Sequence, residues 1–317
     1  MCMPSICCYR RIYVKRVLIF GIGGFVGPYL AREFENNGYE VIGSDVVDVQ
    51  GIKCVKANLL DAEAIEKLVS ESNVDIIVNL AAISSVGASW NMPQTTISVN
   101  VLGALNIMEA ARKVEKQPRV LFVGSSEEYA VSDADISEKT ALNANNPYGI
   151  SKATQESFAA IYRERYGMKI YCVRPFNHTG VGQKDNFVLP SFAKQVAEVT
   201  KSGKAGVMKV GNLAAIRDFS DVRDVVRAYR MIVEQDNCET IYNVGSGKCF
   251  KIEELLRYLI SLSNQEIDVQ VDPDRFRPVD TPRICCDNTK IRTELGWEPK
   301  YSIFDTLKEM YEYYLAN

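Results

Sequence analysis

Residues 16–34 read "RVLIFGIGGFVGPYLAREF", and this stretch decides the fold. A short run of apolar and β-branched residues, typical of a buried strand, leads into Gly21, Gly24 and Gly27. The pattern then becomes that of an amphipathic helix. A glycine turn between a strand and a helix lets the backbone approach a pyrophosphate, whose charge the helix N-terminus favours. The stretch therefore predicts a dinucleotide site in the first β-α-β unit.

Further apolar runs predict further strands. They are "EVIGSD" (40–45), "DIIVNLAA" (75–82), "RVLFVGSS" (119–126) and "KIYCVRP" (169–175). These runs are almost continuously apolar, as strands buried on both faces of a parallel sheet are. Helical patterns lie between them, for example in residues 95–114. The alternation predicts an α/β protein, a Rossmann-type doubly wound parallel sheet with a smaller C-terminal α/β substrate-binding domain.

The alternation loosens after residue 180, which suggests how the chain is divided. We expect residues 16–175 to form the NAD(P)-binding Rossmann domain, with residues 240–263 returning to it. Residues 176–239 and 264–317 are expected to form the substrate domain. Residues 1–15 are interpreted as an extension or a misplaced start, with no role assigned.

The composition excludes several classes of function. With 47% hydrophobic residues, 24% charged residues and a net charge of -3, the chain is typical of soluble globular proteins and has no basic field for nucleic acid. We expect neither a signal peptide nor a membrane span, and hence a cytoplasmic protein. The nine Cys lack zinc-site spacing and there is one His, so we expect no metal and reduced thiols.

Asp45 ends the second predicted strand, a position that often selects the cofactor. A carboxylate there can accept hydrogen bonds from the ribose 2′-hydroxyl of NAD and would repel the 2′-phosphate of NADP. The alternative is an Asp that only stabilises the turn "DVVD". No Arg follows immediately, so NAD(H) is favoured, with NADP(H) left open.

A hydroxyl, a phenol and an ammonium are predicted to meet at the carboxyl edge of the sheet. Ser125, Ser126 and Glu127 follow a strand, and Tyr148 and Lys152 lie four residues apart at the start of a helix. Tyr148 would transfer a proton to or from a sugar oxygen, and Lys152 would lower the pKa of the phenol. Ser125 would hydrogen-bond the reacting oxygen. Taken alone, the Tyr–Lys pair would more often be a solvated helix face.

Together these motifs resemble the extended short-chain dehydrogenase/reductases, which act on nucleotide sugars, over residues 16–315. The resemblance implies catalytic roles for Ser125, Glu127, Tyr148 and Lys152. Asn58 stands where the family usually has an Asp that touches adenine. The cofactor contacts that the resemblance implies are Gly21, Gly24, Phe25, Val26, Gly27, Asp45, Asn58, Leu59, Leu80, Ala81, Ala82, Asn100, Tyr148, Lys152 and Pro175.

Three later segments, at 174–183, 209–229 and 275–297, are most similar to the branch that acts on GDP-mannose derivatives. This resemblance implies a GDP-linked sugar, or another nucleotide-linked sugar, as the small-molecule partner. The substrate residues that we expect are Ser126, Asn177, Val188, Arg217 and Arg277. For each Arg the alternative is a surface ion pair, with Asp218 or Asp221 for example. His178 is interpreted as a hydrogen-bonded structural residue rather than a general base.

The reaction itself is the hardest choice. Ser125, where the dehydratases of this branch usually have Thr, and the short chain favour reduction of the C4 ketone of GDP-4-dehydro-6-deoxy-D-mannose. The alternatives are GDP-mannose 4,6-dehydratase, in which Glu127 would be the extra acid-base group, and another NAD-dependent epimerase or dehydratase. A non-enzymatic NAD(P)-binding sensor is a second class of alternative. The family implies a homodimer paired through residues 95–114 and 148–166.

Overall fold

A computed structural model describes residues 14–236, 240–273 and 281–317. Its strands are β1 (Arg16–Phe20), β2 (Glu40–Asp45), β3 (Cys54–Lys56), β4 (Ile76–Asn79), β5 (Arg119–Val123), β6 (Ile170–Pro175), β7 (Asn177–Thr179), β8 (Gly206–Val210), β9 (Ile216–Asp221), β10 (Ile241–Val244), β11 (Cys249–Lys251), β12 (Ile267–Val271) and β13 (Arg283–Ile284).

The helices alternate with these strands in the first half of the chain. They are α1 (Val26–Asn36), α2 (Ala62–Ser72), α3 (Val86–Asn91), α4 (Pro93–Ile97), α5 (Gly103–Lys113), α6 (Pro147–Tyr166), α7 (Val188–Ser202), α8 (Val222–Glu234), α9 (Ile252–Ser261), α10 (Thr289–Leu295) and α11 (Ile303–Ala316). A π-helical turn, Ser98–Leu102, joins α4 to α5, and a 3₁₀ turn, Ser126–Glu128, follows β5. Within the described part of the chain, none of these helices has the length and apolar content needed to cross a membrane.

Seven parallel strands form the central sheet, in the order β10-β6-β5-β4-β1-β2-β3. Side chains of α1 and α8 fill one face of the sheet, and those of α2, α5 and α6 fill the other. The predicted doubly wound fold is confirmed, because the apolar runs are buried from both sides. The strand order reverses between β1 and β4, so their carboxyl ends frame the crevice where such sheets bind ligands.

A second, smaller core is formed by α7, α9 and α11 with β8. Beside it, β9 pairs with β7 and β13 in parallel and with β11 in antiparallel. The elements follow the division expected from the sequence only in part, since β10 joins the large sheet as expected for residues 240–263 but α8 and α9 do not follow it. The α8 helix belongs to the large core although it lies within 176–239, while β10 extends the large sheet and α9 joins the small core.

Candidate active site

The glycine turn after β1 leaves no room for side chains. Gly21 has a φ of 79°, and a Cβ there would lie 2.6 Å from the backbone nitrogen of Ala81. A Cβ on Gly27 would lie 2.0 Å from the carbonyl oxygen of Ile22, so α1 packs directly on the turn that precedes it. The N-terminal turn of α1, which begins at Val26, therefore lies beside the ends of β1 and β4. This cradle fits a pyrophosphate, since any side chain would fill it.

Asp45 lies beside the same turn. Its Oδ2 accepts a hydrogen bond from the Gly23 backbone nitrogen at 2.9 Å, and its Oδ1 accepts one from the Val46 nitrogen at 2.7 Å. The carboxylate therefore stabilises the local turn and also contacts the glycine loop. A half-buried carboxylate in this place is suited to hold ribose hydroxyls.

The other residues expected at the cofactor lie along the same edge of the sheet. Leu80, Ala81 and Ala82 follow β4, and Asn58 and Leu59 follow β3. The Oδ1 atom of Asn58 accepts a bond from the Leu60 nitrogen at 3.0 Å, on the surface. The Leu59 side chain is buried. Phe25 precedes α1, Val26 begins it, Gly24 lies in the turn, and Pro175 ends β6.

Asn100 is buried in the π-helical turn and connects two parts of the site. Its Oδ1 accepts a hydrogen bond from the Ile83 nitrogen at 2.8 Å, and its Nδ2 donates to the Ser151 hydroxyl at 2.9 Å. The Ser151 hydroxyl in turn donates to the carbonyl oxygen of Tyr148 at 2.7 Å. The loop after β4 and the start of α6 are thereby held together. Asn100 thus has a structural role besides the cofactor contact expected from the sequence.

Tyr148 lies in the first turn of α6, with the side chain of Ser125 close enough to influence its hydroxyl. Its backbone nitrogen donates to the Ser89 hydroxyl at 3.2 Å. The Lys152 ammonium lies one helical turn further on, 6.0 Å from the Tyr148 ring centre, and donates to the Val123 carbonyl oxygen at 2.7 Å. The structure thus brings together the three groups that the sequence predicted.

The electrostatics of this pair differ from the expectation. Burial raises the pKa of Tyr148, against a smaller lowering by the hydrogen bond from Ser125. Burial also lowers the pKa of Lys152 to about 8, opposed by the nearby carboxylate of Glu128. The lowering of the phenol pKa that was expected from Lys152 does not appear, because loss of water dominates and raises this pKa. At neutral pH Tyr148 is a protonated donor.

Glu127 faces the helix that carries Tyr148. Its Oε2 accepts a hydrogen bond from the side chain of Asn146 at 3.0 Å, and Asn146 caps α6 by accepting from the Gly149 nitrogen at 2.9 Å. A Cβ on Gly149 would lie 2.2 Å from the Glu127 carbonyl oxygen. The helix therefore packs directly on the turn after β5. Ser126, in the same turn, is buried.

Glu128 is a buried acid that the sequence reasoning missed. Its Oε1 accepts a hydrogen bond from the Ser125 nitrogen at 2.6 Å. Burial, then repulsion from Glu156, raises the pKa of Glu128 to about 8, while Arg174 opposes the rise. The only local signal is the pair of acids in "SSEEY", which also suits an exposed turn. Its partners on β6 and α6 are visible only in the folded chain.

The substrate residues expected from the sequence lie in the second half of the chain. Asn177 is half-buried at the start of β7, and Val188 begins α7. Arg217 is buried in β9, where its Nη1 donates to the Ile216 carbonyl oxygen at 2.9 Å. Arg277 lies outside the described residues.

The carboxylates considered as surface partners of Arg217 make other bonds. Asp218 accepts hydrogen bonds from the backbone nitrogens of Ser246 at 2.9 Å and Gly247 at 2.8 Å. Asp221 accepts bonds from the Arg223 guanidinium and, at 2.7 Å, from the Thr306 hydroxyl. These two acids therefore fix the loop after β10 and the helix α11.

His178 is half-buried near the cofactor cradle. Its Nδ1 lies 3.1 Å from the Phe176 carbonyl oxygen, and its ring stacks on Phe25 at 6.4 Å between ring centres. Burial lowers the pKa of the imidazole. These contacts suit a structural residue rather than a base that faces substrate.

The expectation of reduced thiols is wrong at one position. Cys249 and Cys285 form a disulfide, whereas Cys54, Cys172 and Cys286 are free. The bond joins β11 to the residue that follows β13, and both of these strands pair with β9. Folding brings the two cysteines together across a separation of 36 residues, which the sequence spacing did not reveal.

Comparison with known proteins agrees with the family resemblance seen in the sequence. The family described as GDP-mannose 4,6 dehydratase matches residues 18–310. The GDP-6-deoxy-D-mannose reductase of Pseudomonas aeruginosa is 30% identical over 297 residues, covering 93% of this chain and 95% of the relative. The structure of RMD from Pseudomonas aeruginosa complexed with NADPH is 27% identical, with a TM-score of 0.85 and coverage of 96% and 99%. The UDP-glucose 4-epimerase of Thermus thermophilus, in complex with NAD, is 26% identical, with a TM-score of 0.83 and coverage of 94% and 98%.

This protein is an enzyme of the extended short-chain dehydrogenase/reductase type that uses a nicotinamide dinucleotide, as its fold, its glycine cradle and the group of Ser125, Tyr148 and Lys152 indicate. The family resemblance seen in the sequence is confirmed. The chain belongs to the GDP-mannose 4,6-dehydratase family. Because its relatives are enzymes, the alternative of a non-enzymatic sensor is set aside.

The raised pKa of Glu128 predicts a specific pH dependence of stability. A carboxyl with a raised pKa keeps its proton in the folded state but loses it in the unfolded state, so its contribution falls as pH rises from about 4.5 towards 8. Between pH 6.5 and 7.5 the free energy of unfolding should fall by about 1 kcal/mol more in the wild type than in Glu128→Gln. Urea unfolding of the two proteins at each pH value measures these free energies. An equal change in the free energy of unfolding of both proteins between the two pH values would contradict the raised pKa of Glu128.

Proposed function

We propose that this enzyme reduces the C4 ketone of GDP-4-dehydro-6-deoxy-D-mannose with a reduced nicotinamide dinucleotide. The observation that carries the proposal is the buried phenol of Tyr148, which lies beside Ser125 at the carboxyl end of β5 and one helical turn from the Lys152 ammonium. A ketone that gains a hydride becomes an alkoxide and needs a proton, which a protonated phenol can supply. The similarity to the Pseudomonas aeruginosa reductase supports a nucleotide sugar as the substrate and a nicotinamide dinucleotide as the cofactor.

The three side chains have different roles in this proposal. When bound, the reduced dinucleotide would supply the hydride for the new C–H bond at C4 and would itself be oxidised. Tyr148 gives its proton to the oxygen as the C–O π bond breaks. Ser125 hydrogen-bonds that oxygen and holds it against the phenol. Lys152, whose ammonium is buried beside the ring, would hold the nicotinamide ribose and compensate the phenolate that forms.

The proton state of Tyr148 favours reduction over the alternatives. A 4,6-dehydratase, like an epimerase, must first oxidise C4, which requires the phenol to act as a base. The raised pKa keeps the phenol in the protonated form that reduction requires and leaves little phenolate to act as a base at neutral pH. The dehydratase remains the second candidate because Glu127 lies beside Tyr148, on the turn where a C5 base would be needed. An NAD-dependent epimerase acting on another nucleotide sugar is the third, supported by the structural similarity to the Thermus enzyme.

The nucleotide sugar would bind between the carboxyl edge of the sheet and the smaller core. Arg217 would contact the diphosphate, because a planar guanidinium matches phosphate oxygens, and Arg277 is proposed for the same role. Asn177 would donate to the sugar or the diphosphate. Ser126 would contact the sugar, while Val188 would form an apolar wall of the nucleotide pocket.

NAD(H) is the proposed cofactor. The Asp45 carboxylate lies beside the glycine turn, held by the Gly23 nitrogen at 2.9 Å, where it would accept ribose hydroxyls. A 2′-phosphate at that place would meet a negative charge, so NADP(H) should bind less well.

We also propose that the enzyme forms a homodimer through the faces of α4, α5 and α6. Exposed apolar side chains occur along residues 95–114 and 148–166: Ile97 (41% exposed), Leu102 (49%), Ile150 (48%) and Ile161 (53%). A second copy would bury these side chains in an isologous contact.

Replacing Tyr148 with Phe tests the proton donor. Tyr148→Phe keeps the ring and the packing but removes the hydroxyl, so turnover should fall on the order of 10² to 10⁴ while cofactor binding is retained. Tyr166→Phe, on the same helix but 44% exposed, is the control and should keep full turnover. Wild-type turnover in Tyr148→Phe would contradict the assignment.

Replacing Asp45 with Ala tests the choice of cofactor. Calorimetry should show weaker NADH binding in Asp45→Ala, by about tenfold for the lost hydrogen bonds to ribose, and a relative gain for NADPH. Asp48→Ala, in the same loop, should leave both affinities unchanged. Wild-type protein that binds NADPH as tightly as NADH would show that Asp45 does not select the cofactor.

The hydride balance separates the reductase from the dehydratase. With the GDP-linked 4-keto-6-deoxy sugar, we expect one reduced cofactor to be oxidised per product, read by absorbance and product mass. GDP-mannose should lose no water. Glu127→Gln should have a modest effect on ketone reduction, since Tyr148 supplies the proton. Formation of the 4-keto sugar from GDP-mannose, abolished in Glu127→Gln, would favour the dehydratase instead.

Sedimentation tests the proposed dimer. Wild-type protein should sediment as a dimer, and Ile161→Glu should be monomeric because a charge is costly in an apolar interface. Val207→Glu, which alters a side chain 56% exposed on β8, is the control and should remain dimeric. A monomeric wild type at micromolar concentration would refute the proposal.

A further inference from the structure

The Glu128 carboxyl lies directly beneath the end of β5. The residue is completely buried, and its Oε1 accepts the hydrogen bond from the Ser125 nitrogen at 2.6 Å. The backbone is shaped around it, because a Cβ on Gly124 would lie 2.4 Å from this same oxygen. An apolar side chain here would leave the Ser125 nitrogen without its acceptor in a buried place.

Charged and titratable groups surround this carboxyl. On β6, Arg174 has its Nε 3.8 Å from Glu128 Oε2, while its guanidinium forms a bidentate pair with Glu156 of α6. Tyr129 accepts a bond from Arg174 Nη1 at 2.7 Å. The remaining neighbours that interact with Glu128 are Lys152 and Tyr148 on α6 and Cys172 on β6.

The Arg174 guanidinium therefore forms its ion pair with Glu156, and the Glu128 carboxyl lies at the edge of this pair. Within the described residues, Glu128 Oε2 has no hydrogen-bond partner. Two ionised carboxylates sharing one guanidinium would repel each other, and the raised pKa of Glu128 keeps it neutral at pH 7. A neutral carboxyl can hold the Ser125 nitrogen without adding a charge below the site. Glutamine has the same shape and the same acceptor.

We infer that Glu128 is a positioning residue that fixes Ser125, and through Ser125 the hydroxyl of Tyr148, in the geometry for proton donation. The inference rests on the proposed role of Tyr148. Ser125 connects the two residues, since its nitrogen donates to Glu128 and its side chain lies beside the Tyr148 hydroxyl. A shift of Ser125 would move the acceptor oxygen of the substrate relative to the phenol, without changing the residues that hold the nucleotide.

Two variants of the full-length protein separate positioning from simple structural support. Glu128→Gln keeps the acceptor for the Ser125 nitrogen, and Glu128→Leu removes it at similar volume. At pH 6.5, turnover of Glu128→Gln should stay within about threefold of wild type, whereas Glu128→Leu should lose on the order of 10- to 100-fold. KM for the nucleotide sugar and the affinity for NADH should change by less than about threefold in both, because those contacts lie elsewhere.

Hydrogen exchange gives a readout that needs no activity. The backbone amide of Ser125 should exchange slowly in wild type and Glu128→Gln and much faster in Glu128→Leu. If Glu128→Leu does not fold, Glu128→Met takes its place. Full turnover in a folded apolar variant, or an equal loss in Glu128→Gln, would overturn the inference. An inactive wild type with slow exchange at Ser125 would contradict the proposed function, and fast exchange at Ser125 in the wild type would contradict the inference.

Discussion

The contact between the first turn of α6 and the turn after β5 fixes the site. Gly149 leaves 2.2 Å between a hypothetical Cβ and the Glu127 carbonyl oxygen, so the two segments meet backbone to backbone. Only this approach allows the Tyr148 hydroxyl to reach Ser125 and places the Lys152 ammonium against the Val123 carbonyl oxygen. The same approach removes water from the phenol and the ammonium. Their pKa values and their geometry therefore have one cause.

Burying so many polar groups is costly unless each finds a partner. Many of these groups, though not the Glu128 Oε2 atom, find partners among the described residues in a connected layer beneath the site. The Tyr129 hydroxyl donates to Asn243 at 2.7 Å, Asn243 donates to the Ile136 carbonyl oxygen at 2.9 Å, and the Ile136 nitrogen donates to Cys285 at 2.8 Å. A small apolar cluster of Tyr129, Ile136, Phe176, Ile284 and Cys286 seals this layer. These contacts connect the polar layer beneath the site to β13, which pairs with β9, the strand that carries Arg217.

Much of this architecture could be predicted from local patterns. The apolar runs predicted the sheet because strands buried on both faces are apolar along their whole length. Gly21, Gly24 and Gly27 marked the cradle, where a Cβ on Gly21 or Gly27 would overlap backbone atoms. Tyr148 and Lys152 were found because residues four apart share a helix face. What depends on distant partners was not predictable: the buried state of Glu128 requires Arg174, and the disulfide requires β11 and β13 to flank β9. Burial also reversed the expected shift in the pKa of Tyr148, because the depth of a side chain is a property of the whole fold.

The central claim is that hydride enters at C4 of the sugar while the phenol of Tyr148 supplies the proton to the oxygen. Isotope transfer tests this most directly. The enzyme is given the GDP-linked 4-keto-6-deoxy sugar and, in separate reactions, reduced cofactor deuterated on each face of C4 of the nicotinamide. We predict that one of the two preparations places one deuterium at C4 of the product sugar, detected by mass and NMR, and that Tyr148→Phe slows this transfer. Product without deuterium from either preparation, or with deuterium at C6, would contradict the account.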